Sequence, residues 1–135
     1  MTDDIIGTEA VSDKPIILLA DDDLDIRTLV RLAIEPLDCH IIEASDGEMA
    51  LEQILVESPD LVVLDVMMPG LTGWEICKYV KKKEGYKDTL ILMLTAVGEV
   101  VNDMTAPLYG ADAHLDKPFD MDEIVTVIQG LLASR

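Results

Sequence analysis

Short unbroken apolar runs alternate along this chain with stretches in which apolar residues recur at helical spacing. Residues 16–20, 61–64 and 90–94 are continuous apolar runs, the pattern of strands buried on both faces. Two weaker strands are predicted over 40–43 and 112–115. Between them, Ile26, Leu29, Val30 and Ala33 mark a helix that ends near Pro36. Ala50, Leu51, Ile54 and Leu55 mark a second, Ile76, Cys77 and Val80 a third. A weaker helix is predicted over 99–106. The last carries Met121, Ile124, Val125, Ile128, Leu131 and Leu132 on one side.

The punctuation between these segments agrees. Asp23 suits the N-cap of the first helix. Ser45 with Glu48, Thr72 with Glu75, and Asp120 with Glu123 each have the spacing of a capping box. Ser58-Pro59 stops the second helix, and Pro69-Gly70 suits a turn whose second corner has positive φ. The result is a βα unit repeated about five times, which implies a parallel sheet with helices on both faces. Residues 1–14 read as a flexible N-terminal tail and 15–135 as a single domain.

The apolar runs stop at residues suited to handling a phosphoryl group. The first runs into Asp21, Asp22 and Asp23, the third-strand run into Asp65, the next into Thr95, and the last leads to Lys117. In an open parallel sheet these positions share the carboxyl edge, where ligands bind. Neighbouring strands lie ~4.8 Å apart, so the carboxylates crowd one another. Two of them at ~4 Å repel by roughly 4 kcal/mol at an effective dielectric near 20. A cation is required there, and hard oxygen donors without nearby His or Cys favour Mg²⁺. Each residue alone has a plainer use, as a helix cap, loop carboxylate, turn hydroxyl or surface amine. Their joint placement at four strand ends points to a site.

Composition narrows the function classes. Ten basic residues against 27 acidic ones give a net charge of −17, which repels nucleic acid and anionic lipid. Half of the basic residues, Lys78, Lys81, Lys82, Lys83 and Lys87, cluster at the end of the third helix, where cations suit the helix dipole and a solvated face is expected. No stretch approaches the ~18 apolar residues of a membrane span, and no signal peptide is apparent. Cys39 and Cys77 lack metal-ligand spacing and read as free, buried thiols in a cytoplasmic protein.

The segments ILLADDD, LVVLDVMMPGLTG, LMLTA and GADAHLDKPF, in this order, resemble the receiver domain of two-component response regulators across residues 15–132. The resemblance implies a CheY-like, flavodoxin-like α/β fold, doubly wound, with five parallel strands in the order 2-1-3-4-5. It also implies roles. Asp65 matches the phosphoacceptor. Asp21 and Asp22, with Asp65 and the backbone carbonyl of Met67, match the Mg²⁺ ligands, and Mn²⁺ would serve as well. Thr95 matches the hydroxyl that binds a phosphoryl oxygen, and Lys117 the lysine that pairs first with the carboxylate and then with the phosphoryl group. Pro118 follows it in a bond that is typically cis in this family. His114 stands where an aromatic ring turns inward after Thr95 moves. The implied partners are a sensor histidine kinase or His-phosphotransfer protein and a downstream protein target. The chain would be a switch rather than an enzyme, without direct nucleic-acid or membrane contact.

Three positions depart from family members that lose the phosphoryl group quickly or dimerise firmly. Met67 and Val97 cannot orient a hydrolytic water by hydrogen bonding, so a long-lived phosphoaspartate is expected. Pro107 interrupts the fourth helical segment, so a monomer or weak homodimer is expected. Two enzymatic or cofactor-binding alternatives fit less well. A haloacid-dehalogenase-like phosphatase needs a second Asp where Met67 stands, and a flavodoxin needs a hydroxyl- and Gly-rich loop where ADDDLD stands. A stand-alone receiver is expected from the end of the chain at Arg135. A receiver fragment of a larger hybrid kinase or transcription regulator is the alternative.

Overall fold

The computed structural model describes residues 14–96 and 110–135. Strand β1 spans Ile16–Ala20, β2 His40–Ala44, β3 Leu61–Asp65, β4 Leu90–Thr95 and β5 Ala113–Asp116. Helix α1 spans Leu24–Ile34, α2 Gly47–Glu57, α3 Gly73–Lys82 and α4 Met121–Ala133. All strand pairs are parallel, in the order β2-β1-β3-β4-β5. All of the predicted tail over 1–14 except Lys14, the helix over 99–106, Val97 and Pro107 lie outside the described residues.

Alternation along the central strands divides the core between the two faces. Leu18, Val62, Leu64, Ile91 and Met93 meet Ala50 and Ile54 of α2 and Ile76, Cys77 and Val80 of α3. Ile17, Leu19, Leu61, Val63, Leu92 and Leu94 meet Val30, Ala33 and Ile34 of α1 and Ile124 and Ile128 of α4. The unbroken apolar runs are thus strands with a helix layer on either side, as their pattern predicts. All five β3 residues are buried, Asp65 among them.

Asp23, Thr72 and Asp120 cap their helices, the latter two through complete capping boxes. Gly70 has φ +81°, as the Pro69-Gly70 turn requires. The second helix is capped differently from expectation. Asp46, not Ser45, is its N-cap, accepting from the Met49 N–H at 2.8 Å, so Glu48 is not part of a capping box. The reason is tertiary. Gly47 must be the first helical residue, because the β3–α3 loop lies against it and a Cβ there would overlap the Leu71 carbonyl. The Gly47 N–H also donates to the Pro69 carbonyl at 3.2 Å.

Smaller corrections have similar causes. Met121 is 40% exposed in the first turn of α4 and does not join its buried side. Cys39 is only half-buried and precedes β2, its thiol donating to the Ile34 carbonyl, while Cys77 is fully buried and pushed up to about 12 by desolvation. Lys81 is not a solvated lysine. Its ammonium donates to the Thr89 carbonyl at 2.6 Å and to Asp112 at 2.8 Å. Asp112 in turn accepts from the Ile91 N–H, which removes it from the start of β5.

Gly73 fixes how closely α3 approaches β3, since a Cβ there would overlap the Asp65 carbonyl oxygen. Alanine normally favours a helix over glycine by up to ~1 kcal/mol. Gly73→Ala is expected to destabilise instead, by about 2–4 kcal/mol, because backbone must shift. Urea unfolding of the variant beside the wild type measures the difference.

Candidate functional site

The parallel sheet delivers Asp21, Asp65, Thr95 and Lys117 to its carboxyl edge, from the ends of β1, β3 and β4 and the residue after β5. One oxygen from each of Asp21, Asp22 and Asp65 lies within 4.8 Å of the others. Asp21 and Asp65 are buried at 2% and 4% exposure, whereas Asp22 is exposed. The Lys117 ammonium donates to Asp21 Oδ2 at 3.0 Å and to Asp65 Oδ1 at 3.3 Å. Four of the residues singled out in the sequence, Asp21, Asp22, Asp65 and Lys117, therefore meet in one place.

The local backbone explains this convergence. Asp21 is fixed from several sides. Its Oδ1 accepts from the Asp23 N–H at 2.9 Å, and its own N–H donates to the Ala44 carbonyl. Its carbonyl accepts from Arg27 Nη1 at 2.7 Å. Lys117 is placed by its backbone N–H, which donates to the Thr95 carbonyl at 2.6 Å, and the Lys117–Pro118 bond is cis, as the resemblance implies.

Thr95 is buried, and its hydroxyl donates to Asp116 Oδ1 at 2.6 Å rather than to Asp65. His114 lies half-buried on β5, paired with Met93. Met67 is 61% exposed just beyond Asp65, and its backbone N–H hydrogen-bonds the Asp65 carboxylate. Trp74, at the second position of α3, packs against the core beside the same loop.

The electrostatics follow from burial and from an excess of carboxylates. Desolvation and the neighbouring Asp21 charge raise the Asp65 pKa to about 7, against the Lys117 charge and the hydrogen bonds from Lys117 and Met67. Burial works to lower the Lys117 pKa, but the hydrogen bonds and charges of Asp21 and Asp65 outweigh it and hold the ammonium above its ordinary value. One cation thus serves two buried carboxylates, with Asp22 adding a third negative charge at the rim. All the donors are hard oxygens, so the set fits Mg²⁺ and does not fit a soft metal.

Arg27 is a site residue that sequence reading missed. Glu43 of β2 accepts from Arg27 Nε and Arg31 Nε, each at 2.8 Å. Desolvation works to raise the Glu43 pKa, but the two guanidinium groups hold it below the usual carboxylate range. The pair thereby aims Arg27 at the Asp21 carbonyl. Two arginines four apart on α1, with a glutamate following the apolar pair Ile41-Ile42 of β2, were the available signal.

Comparison with known proteins agrees with this geometry. Residues 17–129 match the response regulator receiver domain, and the chain belongs to that family. It is 40% identical over 119 residues to the "Probable transcriptional regulator ycf27" of Cyanophora paradoxa, covering 88% of this chain and 48% of that protein. It is also 40% identical over 116 residues to the transcriptional regulatory protein ResD of Bacillus subtilis, covering 86% and 47%. The chain thus spans about half the length of the curated relatives it matches. Among solved structures, the chemotaxis response regulator CheY4 of Vibrio cholerae superposes with a TM-score of 0.80 at 30% identity, over 87% of this chain and 98% of that one. The fold is CheY-like, and such a domain is a phosphoacceptor switch rather than a conventional enzyme. No helix among the described residues is long and apolar enough to cross a membrane.

The raised Asp65 pKa makes a signed prediction. A carboxyl group raised in the folded state adds no penalty while protonated, and destabilises the fold as pH climbs from its unfolded value towards about 7. In metal-free buffer, Asp65→Asn is expected to melt above the wild type at about pH 8, by the equivalent of roughly 2–4 kcal/mol, with the gap closing towards about pH 4. Thermal melts of both proteins across that range give the comparison.

Proposed function

We propose that this chain is a phosphorylation switch whose acceptor is Asp65. The observation that carries this reading is the Lys117 ammonium shared between Asp65 and Asp21, with Asp22 at the rim of the same cluster. A carboxylate oxygen of Asp65 would attack the phosphorus of a phosphohistidine on a sensor histidine kinase or His-phosphotransfer protein. The P–N bond breaks, its electron pair stays on the imidazole, and an acyl phosphate forms on Asp65. Later attack by water would release inorganic phosphate and restore the carboxylate.

The side chains have separate tasks. Lys117 would hold the acceptor oxygen and then a phosphoryl oxygen. Asp21, Asp22, Asp65 and the Met67 carbonyl would hold Mg²⁺, which neutralises negative charge on the phosphoryl oxygens when bound. Thr95 would donate its hydroxyl to a third oxygen, and the His114 ring would respond to its movement. The new group carries close to −2 charge, enough to shift the balance between two pre-existing conformations and so the affinity for a downstream protein. The chain would act in the cytoplasm as a monomer or weak homodimer. It would serve either alone or as the receiver part of a larger hybrid kinase or transcription regulator.

Incubation with acetyl phosphate and Mg²⁺, followed by intact-mass spectrometry, tests the acceptor. One phosphoryl group is expected on the wild type and none on Asp65→Asn, and omission of Mg²⁺ should abolish labelling. An unlabelled wild type, or labelling that survives in Asp65→Asn, would sink the reading.

The exposed Met67 side chain offers no hydrogen bond to a hydrolytic water, so the acyl phosphate is expected to be long-lived. Met67→Asn should speed its loss by roughly tenfold, the scale of one added hydrogen bond to the attacking water, measured as phosphate release from the purified phosphoprotein.

A further inference from the structure

The Thr95 hydroxyl has a carboxylate partner of its own. Thr95 and Asp116 are Cα partners across β4 and β5, so their side chains leave the sheet on the same face at opposed positions. The hydroxyl donates to Asp116 Oδ1 at 2.6 Å, within the short range of an O–H···O⁻ bond. Thr95 is 1% exposed, while Asp116 stands exposed at the end of its strand. The backbones beneath are also tied, by the 2.6 Å bond from the Lys117 N–H to the Thr95 carbonyl.

A threonine hydroxyl has one proton to donate. While Asp116 holds it, no phosphoryl oxygen on Asp65 can receive it. We propose that Asp116 is a positioning residue that latches the Thr95 hydroxyl in the resting chain. This rests on the reading of Asp65 as phosphoacceptor. Capture of a phosphoryl group must then take the Thr95 proton from a carboxylate, a stronger competitor than water. Because the strands are held together under both residues, the exchange is a rotation of the Thr95 side chain rather than a separation of β4 from β5. The latch lowers the fraction of molecules ready to bind the phosphoryl group, and apparent affinity falls by that fraction. In this chain the threshold of the switch is therefore set by the residue immediately before Lys117.

Beryllofluoride with Mg²⁺, a non-covalent phosphoryl mimic, is the probe, and calorimetric titration gives its affinity. Asp116→Val is expected to bind it roughly three- to tenfold tighter than the wild type, the scale of one partly exposed charged hydrogen bond. Asp116→Asn, which keeps a weaker acceptor, should fall between them. The gain should vanish in a Thr95→Ala background and persist in Thr95→Ser, since the latch acts only through the hydroxyl. An equal gain with Thr95→Ala would mean that Asp116 acts by plain charge repulsion, and the latch is overturned. No gain in either Asp116 variant overturns it as well, with the acceptor reading intact. A wild type that does not bind beryllofluoride overturns both. Should Asp116→Val fail to fold, the Asn variant and its Thr95→Ala double mutant decide by the same comparison.

Discussion

One ammonium between two buried carboxylates governs the chemistry of this fold. Asp21 and Asp65 are almost wholly removed from water, and Lys117 is the cation that bridges them. Two buried negative charges against one positive charge leave a deficit, which Asp22 deepens. Burial raises the Asp65 pKa first, and the neighbouring Asp21 charge raises it further. Lys117 opposes that shift by its charge and its hydrogen bond, so anything that moves Lys117 would alter the proton affinity of Asp65.

The scaffold holds the two sides of this site by different means. Around Asp65 the fixings are steric. Gly73 lets α3 close onto the Asp65 carbonyl, and Gly47 lets α2 close onto Leu71. The Thr72–Glu75 capping box then locks the start of α3. Around Asp21 they are polar, through Arg27, Glu43 and the Asp23 N–H. At Thr95 the backbone is tied to Lys117, and the side chain is held by a hydrogen bond to an exposed carboxylate, Asp116.

The features legible in the sequence are those set within one segment. The strands over 16–20 and 61–65 follow from apolar runs long enough for one buried strand and too short for a helix. Asp65 and Thr95 follow because polar residues that terminate such runs must lie at a sheet edge. The Thr72 and Asp120 caps depend only on residues three apart. The features that were not legible depend on pairings between segments. Asp46 displaces Ser45 as a cap because a loop 24 residues further on occupies the space beside Gly47. Lys81 belongs to a lysine run in the sequence, but in the fold Thr89 and Asp112 close around it. Asp116 lay inside the quoted LDKPF segment, yet its opposition to Thr95 depends on the β4–β5 register.

The same capping physics shapes the field around the site. In a doubly wound parallel sheet every helix begins at the carboxyl edge, next to the ligand site. Asp23, Asp46 and Asp120 are there as caps, with Asp25, Glu48, Glu75, Asp122 and Glu123 in the first turns behind them. Residues chosen to satisfy helix N–H groups thus gather negative charge at the edge that holds Asp21, Asp22 and Asp65. The lysines of α3 sit at its far end, where the dipole favours cations. Among the described residues, the acidic cluster therefore lies where cap and first-turn carboxylates gather. That field draws cations in and opposes small anions. Helix capping thereby sets the sign of the field that any ligand of this edge must enter.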